Sequence, residues 1–259
     1  MITIGFIGAG KMASAIINGL DKKQCQIQLS ASSAHSTQKH AQALNVTAAA
    51  SHNDLIQSSD IIVLAVKPHI IPSVLTQHKI DKPIVSIAAG MTLSDLAELT
   101  SPTQPLIRVM PNINATIQKA TTGITRNENV SDDTFATVVS IFERVGSVHE
   151  IAEKDFGTFT ALAGSSPAYI YMFIDAMSRA GVLHGMPKDV STKIVSETVL
   201  ASAEMVLKSG ENPWTLVDNV SSPGGTTVAG VVSLEQHNFV ATVIDAITAT
   251  VEKNNQMRQ

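Results

Sequence analysis

Two short turns in this chain of 259 residues hold residue types that bind anions through the backbone. The first, Gly8-Ala9-Gly10-Lys11-Met12-Ala13, is a GxGxxA pattern that follows a strand-like alternation and leads into a helical one. Its first glycine permits a tight turn, the second lets a pyrophosphate approach the backbone, and the small Ala13 lets helix and strand lie close. The helix N-terminus behind them attracts phosphate charge. The second turn, Ser222-Pro223-Gly224-Gly225-Thr226-Thr227, is a loop by composition and runs at once into apolar helical spacing. The free amides of Gly224, Gly225, Thr226 and Thr227, with the hydroxyls of Ser222, Thr226 and Thr227, would cradle a small anion. The turn has no lysine, so a carboxylate suits it better than a phosphate. Each turn also has a plainer reading: a bare glycine turn, and an N-cap with a glycine linker.

A dinucleotide site that prefers NAD carries an acidic residue roughly 20 residues beyond the glycine motif, where it holds the ribose hydroxyls. Here that stretch reads Ser30-Ala31-Ser32-Ser33, with no Asp or Glu. Hydroxyls can bond a 2′-phosphate, and Lys39 or His35 would add positive charge. The stretch therefore favours NADPH, with NADH also usable; the alternative is that the serines simply solvate a loop. The eight histidines show no ligand spacing, and the single Cys25 excludes an intramolecular disulfide or a cysteine-built zinc site. No metal is expected.

The elements that must position these turns follow from hydrophobic period. Strands are predicted at 2–7, 27–30, near Val46, and at 61–66, 84–89, 106–109, 123–125 and 147–151. Helices are predicted at 11–20 and 37–44. Beyond Glu153 the pattern is helical only: 169–183, apolar on most faces with Asp175 and Arg179 as its charged pair; a helix from Pro187 to Lys208 closed by Gly210; and one carrying Val240, Val243, Ile244, Ile247 and Val251. The fold class is α/β, with an N-terminal Rossmann-type doubly wound sheet over residues 1–150 and an all-α substrate and dimerisation domain over 151–259. A helix apolar all round needs cover on most faces, which points to burial in a dimer.

Composition agrees. Hydrophobic residues at 44% and charged residues at 15% argue for a packed core, and 4% aromatic content means a core of small and branched side chains. A net charge of −4 offers no basic field for nucleic acid. The apolar runs are too short for a bilayer and no secretory signal is visible, so a cytoplasmic place with no membrane partner is expected.

With these motifs in order, the chain resembles the pyrroline-5-carboxylate reductase family. The resemblance rests on Val220-Ser221-Ser222-Pro223-Gly224-Gly225-Thr226-Thr227 with Leu234-Glu235, and on Gly164-Ser165-Ser166-Pro167-Ala168-Tyr169. Ala65-Val66-Lys67-Pro68, Ala88-Ala89-Gly90 and Arg108-Val109-Met110-Pro111-Asn112 complete it. Ser166 stands where Gly is more common, and Ile113-Asn114 replaces Thr-Pro; both put local loop shape in doubt. The resemblance implies that Ile7, Gly8, Ala9, Gly10, Lys11, Met12, Ser32, Ser33, Asn53, Val66, Lys67, Pro68 and Ala89 line the cofactor. It implies a substrate site from Glu153, Asn219, Ser222, Gly224, Gly225, Thr226 and Thr227, in a homodimer that some members assemble into larger rings.

The implied reaction is the NAD(P)H-dependent reduction of 1-pyrroline-5-carboxylate to L-proline, the last step of proline biosynthesis. Hydride addition to a C=N carbon asks the protein mainly to position two rings, hold a carboxylate and assist one proton. Thr227 is the expected proton-assisting hydroxyl, with Glu153 and Asn219 orienting the ring or its partner loop. Two rivals remain. One is a related imine reductase or hydroxyacid dehydrogenase, which would need a lysine base such as Lys188, Lys193 or Lys208. The other is an NADPH sensor without catalysis.

Overall fold

A computed structural model describes residues 1–256, as eight strands and twelve α-helices with short 3-10 and π segments. The strands are β1 (Ile2–Ile7), β2 (Cys25–Ser30), β3 (Thr47–Ala48), β4 (Ile61–Leu64), β5 (Ile84–Ser86), β6 (Leu106–Met110), β7 (Ala120–Arg126) and β8 (Gly146–Glu150). Helices α1 (Lys11–Gly19), α2 (Ala34–Leu44), α3 (His52–Ser58), α4 (Ile71–Gln77), α5 (Leu93–Glu98), α6 (Asp132–Glu143) and α7 (Phe156–Phe159) alternate with or follow them. Then come α8 (Ser166–Leu183), α9 (Lys188–Ser209), α10 (Pro213–Asn219), α11 (Thr226–Gln236) and α12 (Phe239–Gln256).

The strands form one sheet in the order β3-β2-β1-β4-β5-β6-β7-β8. Neighbours pair in parallel except β6 with β7. Helices cover both faces, which explains the unbroken apolar run of β4. Ile61 and Val63 join one core with Phe6, Ile16 and Phe142, while Ile62 and Leu64 join the other with Leu55, Leu75 and Leu96. The chain order reverses between β1 and β4, the place where such sheets open to a ligand.

Several predicted strands end sooner than expected. β4 stops at Leu64 and β5 at Ser86, because Ala65-Val66 and Ile87-Ala88-Ala89 leave the sheet to line a cavity. The expected piece at 123–125 is the middle of the longer β7. The short helices α3 to α5 were not anticipated; six or seven residues give too little period to read, though their caps are plain. Ser51 Oγ accepts from Asp54 N, and Thr92 with Asp95 forms a reciprocal capping box.

Packing divides the chain into Met1–Gly164 with residues 253–256, and Ser165–Glu252. The segment from Ile151 to Gly164 is bonded to the first unit. Arg108 of β6 is 4% exposed, stacks over the Phe156 ring at 4.2 Å, and donates from NH1 to Glu153 Oε1 at 3.0 Å. The same oxygen accepts the Leu93 amide at the start of α5 at 2.7 Å. Residues 160–165 form a π segment, a rare geometry. Pro167 has no N–H to offer the carbonyl of Ala163, and the buried Asn112 donates to it from Nδ2 at 2.9 Å.

In the second unit α8 and α9 lie close. Ser191 Oγ, buried, donates to Ser178 O at 3.0 Å, and a Cβ on Gly181 would stand 2.1 Å from that Oγ. Asp175 bridges Arg179 at 2.6 Å and Lys188 at 2.7 Å, which holds its carboxyl below the usual range. Within one chain residues 169–183 are left largely uncovered, so the expected burial must come from a partner. Met172 is 71% and Leu183 81% exposed, and Ile170, Tyr171 and Val182 are uncovered as well. Among the described residues no helix is long and apolar enough to cross a membrane.

Breaking the Arg108–Glu153 pair leaves a buried guanidinium without its carboxylate. Glu153→Ala is expected to lower stability by roughly 2–3 kcal/mol, less than a fully buried pair because Glu153 keeps some solvent contact. Urea unfolding checks this, with Glu153→Gln recovering part of the loss by still accepting the Leu93 amide.

Candidate active site

At the switch point Gly8 follows β1 with φ +109, and a Cβ there would lie 2.5 Å from the carbonyl oxygen of Ala65. Only glycine fits so close a crossing. Gly10 precedes α1 in extended conformation with no side-chain cap, and nothing stands within 4 Å of an added Cβ. No side chain at the N-cap therefore occupies the first amides of α1. Ala13 is fully buried, which seats α1 on the sheet.

These residues border a cavity of about 810 Å³. Of the expected cofactor residues, Gly8, Ala9, Gly10, Lys11, Met12, Ser32, Val66, Lys67, Pro68 and Ala89 line it. Ile7 lies beneath, fully buried in β1. Ser33 and Asn53 are not among the lining residues. The Ser33 hydroxyl caps α2 by accepting from Ser36 N, and Asn53 Oδ1 lies 2.7 Å from His78 Nδ1. His52, adjacent to Asn53, and His40 line the cavity instead. His35 and Lys39, the expected sources of positive charge, are exposed and do not. The sequence offered no signal for His52 over its neighbour, because the His78 partner of Asn53 comes from the distant end of α4.

The cavity fits a dinucleotide on its own geometry. A Cβ would fill the turn at Gly8, the amides at Gly10 are uncapped, and α1 has no acidic residue in its first turn to repel a phosphate. The lining holds lysine, histidine and serine and no Asp or Glu. Among the described residues there is no group of three or more His, Cys, Asp and Glu side chains placed to hold a metal.

In the second unit α10 ends at Asn219 and the chain turns through residues 220–225 into α11. Gly224 takes φ +68, and the Gly225 amide donates to Ser222 O at 2.9 Å. The Gly225 N–H is thus committed to the turn, contrary to the expectation that it is free, because this bond is what folds Ser-Pro-Gly-Gly back on itself. A Cβ on Gly225 would lie 2.5 Å from Ser222 Oγ and 3.0 Å from Ser222 O, so a side chain there would require the Ser222 hydroxyl to move. Gly225 gives α11 an extended N-cap with no side-chain bond. The amides of Thr226 and Thr227 have no helical acceptor, and both residues are exposed. Ser221 Oγ is buried with no hydrogen-bond partner among the described residues. Asn219, Ser222, Gly224, Gly225, Thr226 and Thr227 are therefore gathered in one turn. Glu153 lies in the other unit, with Oε1 bonded to Arg108 and Leu93.

Comparison with known proteins agrees with both halves. Residues 153–257 match the family described as pyrroline-5-carboxylate reductase dimerisation, and 3–90 match NADP oxidoreductase coenzyme F420-dependent. The pyrroline-5-carboxylate reductase of Escherichia coli strain K12 is 40% identical over 263 residues, covering 98% of this chain and 97% of that protein. The crystal structure of 1-pyrroline-5-carboxylate reductase from Streptococcus pyogenes shares 45% identity with a TM-score of 0.92, covering 98% of each chain. The Plasmodium falciparum pyrroline carboxylate reductase, solved with NADP bound, shares 34% identity with a TM-score of 0.86 over 100% of this chain and 98% of that one. On this agreement, the chain belongs to the pyrroline-5-carboxylate reductase family.

Proposed function

We propose that this chain reduces 1-pyrroline-5-carboxylate to L-proline with NAD(P)H, as the last step of proline biosynthesis. The observation that carries the reading is full-length agreement with named reductases in a chain that keeps both anion-binding turns. The bound nicotinamide supplies the hydride that adds to the C=N carbon. Everything else falls to the chain's own groups. The amides behind Gly10 meet the pyrophosphate, while Val66, Lys67, Pro68 and Ala89 set the cofactor's depth in the cavity. The amides of Thr226 and Thr227, with the hydroxyls of Ser222 and Thr226, hold the substrate carboxylate. The Thr227 hydroxyl hydrogen-bonds the ring nitrogen and assists its protonation, and Asn219 steadies the turn. Glu153 acts at one remove, by fixing Arg108 and the start of α5.

A lysine-base dehydrogenase finds less support. Lys188 is paired with Asp175 and Lys208 with Glu204, and both ammonium groups stand on exposed helix surface. The proposed working unit is a homodimer built on the apolar side chains that α8 and α9 leave uncovered, a surface too large to leave in water. Assembly of such dimers into a ring, and a cytoplasmic location, belong to the same reading.

Four outcomes test it. Purified protein mixed with NADPH and 1-pyrroline-5-carboxylate should consume the cofactor, read at the nicotinamide absorbance band; no consumption removes the reading. Thr227→Ala should lower kcat by at least about tenfold, the low end for loss of general-acid assistance, with a smaller change in KM. Gly8→Ala should fold poorly or lose cofactor binding, seen by circular dichroism and nucleotide titration. Sedimentation equilibrium should give twice the chain mass, and Met172→Glu should shift it toward the single chain.

A further inference from the structure

At the carboxyl end of β2, where an NAD-preferring site would hold a carboxylate, this chain has a serine–histidine pair. Ser30, 3% exposed, places Oγ 2.7 Å from Nδ1 of His52, the first residue of α3. His52 lines the cavity that the glycine loop opens, together with Ser32, Ser36 and His40. With Nδ1 engaged by Ser30, Nε2 is the ring nitrogen left for a ligand. The ring also meets His78 edge-on, with centroids 5.4 Å apart, and His78 is itself tied to Asn53. Contacts from β2 and from the end of α4 therefore fix the imidazole in place.

Burial first, and the neighbouring charge of His78 second, hold His52 below the ordinary histidine value. The other ionisable groups around the cavity are Lys11 on α1, His40 on α2 and Lys67 after β4. On its own helix the Asp54 carboxylate is engaged by Ser51, Oδ2 accepting the Ser51 hydroxyl at 2.7 Å while the Asp54 N–H donates to Ser51 Oγ at 3.1 Å. The one ionisable group of β2, Cys25, lies at the opposite end of the strand from Ser30, and β3 brings none. A neutral imidazole accommodates a ribose hydroxyl, whereas a phosphate dianion beside it favours the charged form and a stronger, charge-assisted bond.

We propose that His52 is the residue that reads the 2′-phosphate of NADP(H), binding one proton from solvent as the phosphate arrives. The inference rests on the reading of this cavity as the dinucleotide site. It makes cofactor choice depend on pH: affinity for NADP⁺ rises as pH falls from about 8 toward about 6.5, while affinity for NAD⁺ stays flat.

Isothermal titration of NADP⁺ and of NAD⁺, each in two buffers of different ionisation enthalpy, reads both affinity and proton uptake. The free protein should take up a fraction of a proton with NADP⁺ and none with NAD⁺. His52→Gln should lower NADP⁺ affinity about tenfold and leave NAD⁺ within about twofold. It should also remove most of the uptake; the phosphate titrates in this range too, so the difference between wild type and variant is the readout. His52→Asn, shorter by one bond, is the second variant, with circular dichroism confirming the fold of each. If both nucleotides bind and neither variant alters selectivity or uptake, His52 does not read the phosphate and the cavity assignment stands. If neither nucleotide binds wild type, the cavity assignment itself is overturned, and the inference with it.

Discussion

Helices α1 and α11 each begin on a glycine in extended conformation with no side-chain bond to their first amides. Five other helices are capped, with Ser33, Ser51, Thr92, Ser131 and Asn212 each accepting a backbone N–H at a helix start. Helices α4, α7, α8 and α9 also lack a side-chain cap, but none of them starts on a glycine. An unsatisfied helix N-terminus costs stability unless water or an anion meets it. The two glycine starts, one behind a positive-φ Gly8 and one behind a positive-φ Gly224, are the proposed receptors for negative charge. A phosphorylated coenzyme and a small carboxylic acid are the two anions that the proposed reaction brings together.

The rest of the first unit serves that arrangement. Gly8 approaches the Ala65 carbonyl because β1 and β4 sit side by side at the point where strand order reverses. Both faces of the sheet are packed, so the strand ends have fixed height, and Ala65-Val66 and Ile87-Ala88-Ala89 leave the ladder at the level of the glycine loop. Farther along the sheet, β6 and the residues just after it carry two buried polar anchors, Arg108 and Asn112, which hold the segment of residues 151–164. An aromatic-poor core gives small side chains and close approaches, as at Gly181 against Ser191.

Much of this was legible in the residues. The strand, glycine turn and helix at the N-terminus form one period change within twenty residues, and the Ser-Pro-Gly-Gly turn announces α11 by its composition. Pair-wise tertiary contacts were not legible. Asn53 matches a family cofactor position by motif, yet its amide is taken by His78, and the adjacent His52 occupies the cavity wall. Glu153 reads as a substrate residue from its motif, but its Oε1 takes Arg108 of β6, a partner distant in sequence. One missed contact did leave a trace: Pro167 must leave the Ala163 carbonyl short of its helical donor, so a partner such as Asn112 was owed. The apolar face of residues 169–183 was read as buried, and its exposure in the single chain is the same fact seen before assembly.

The most direct measurement is a crystal structure of this protein with NADP⁺ and proline bound together. The account predicts the pyrophosphate against the amides that follow Gly10, and the proline carboxylate on the amides of Thr226 and Thr227 with its ring nitrogen toward the Thr227 hydroxyl. A proline carboxylate held by a lysine or arginine elsewhere, with the turn at residues 222–227 unengaged, would contradict it.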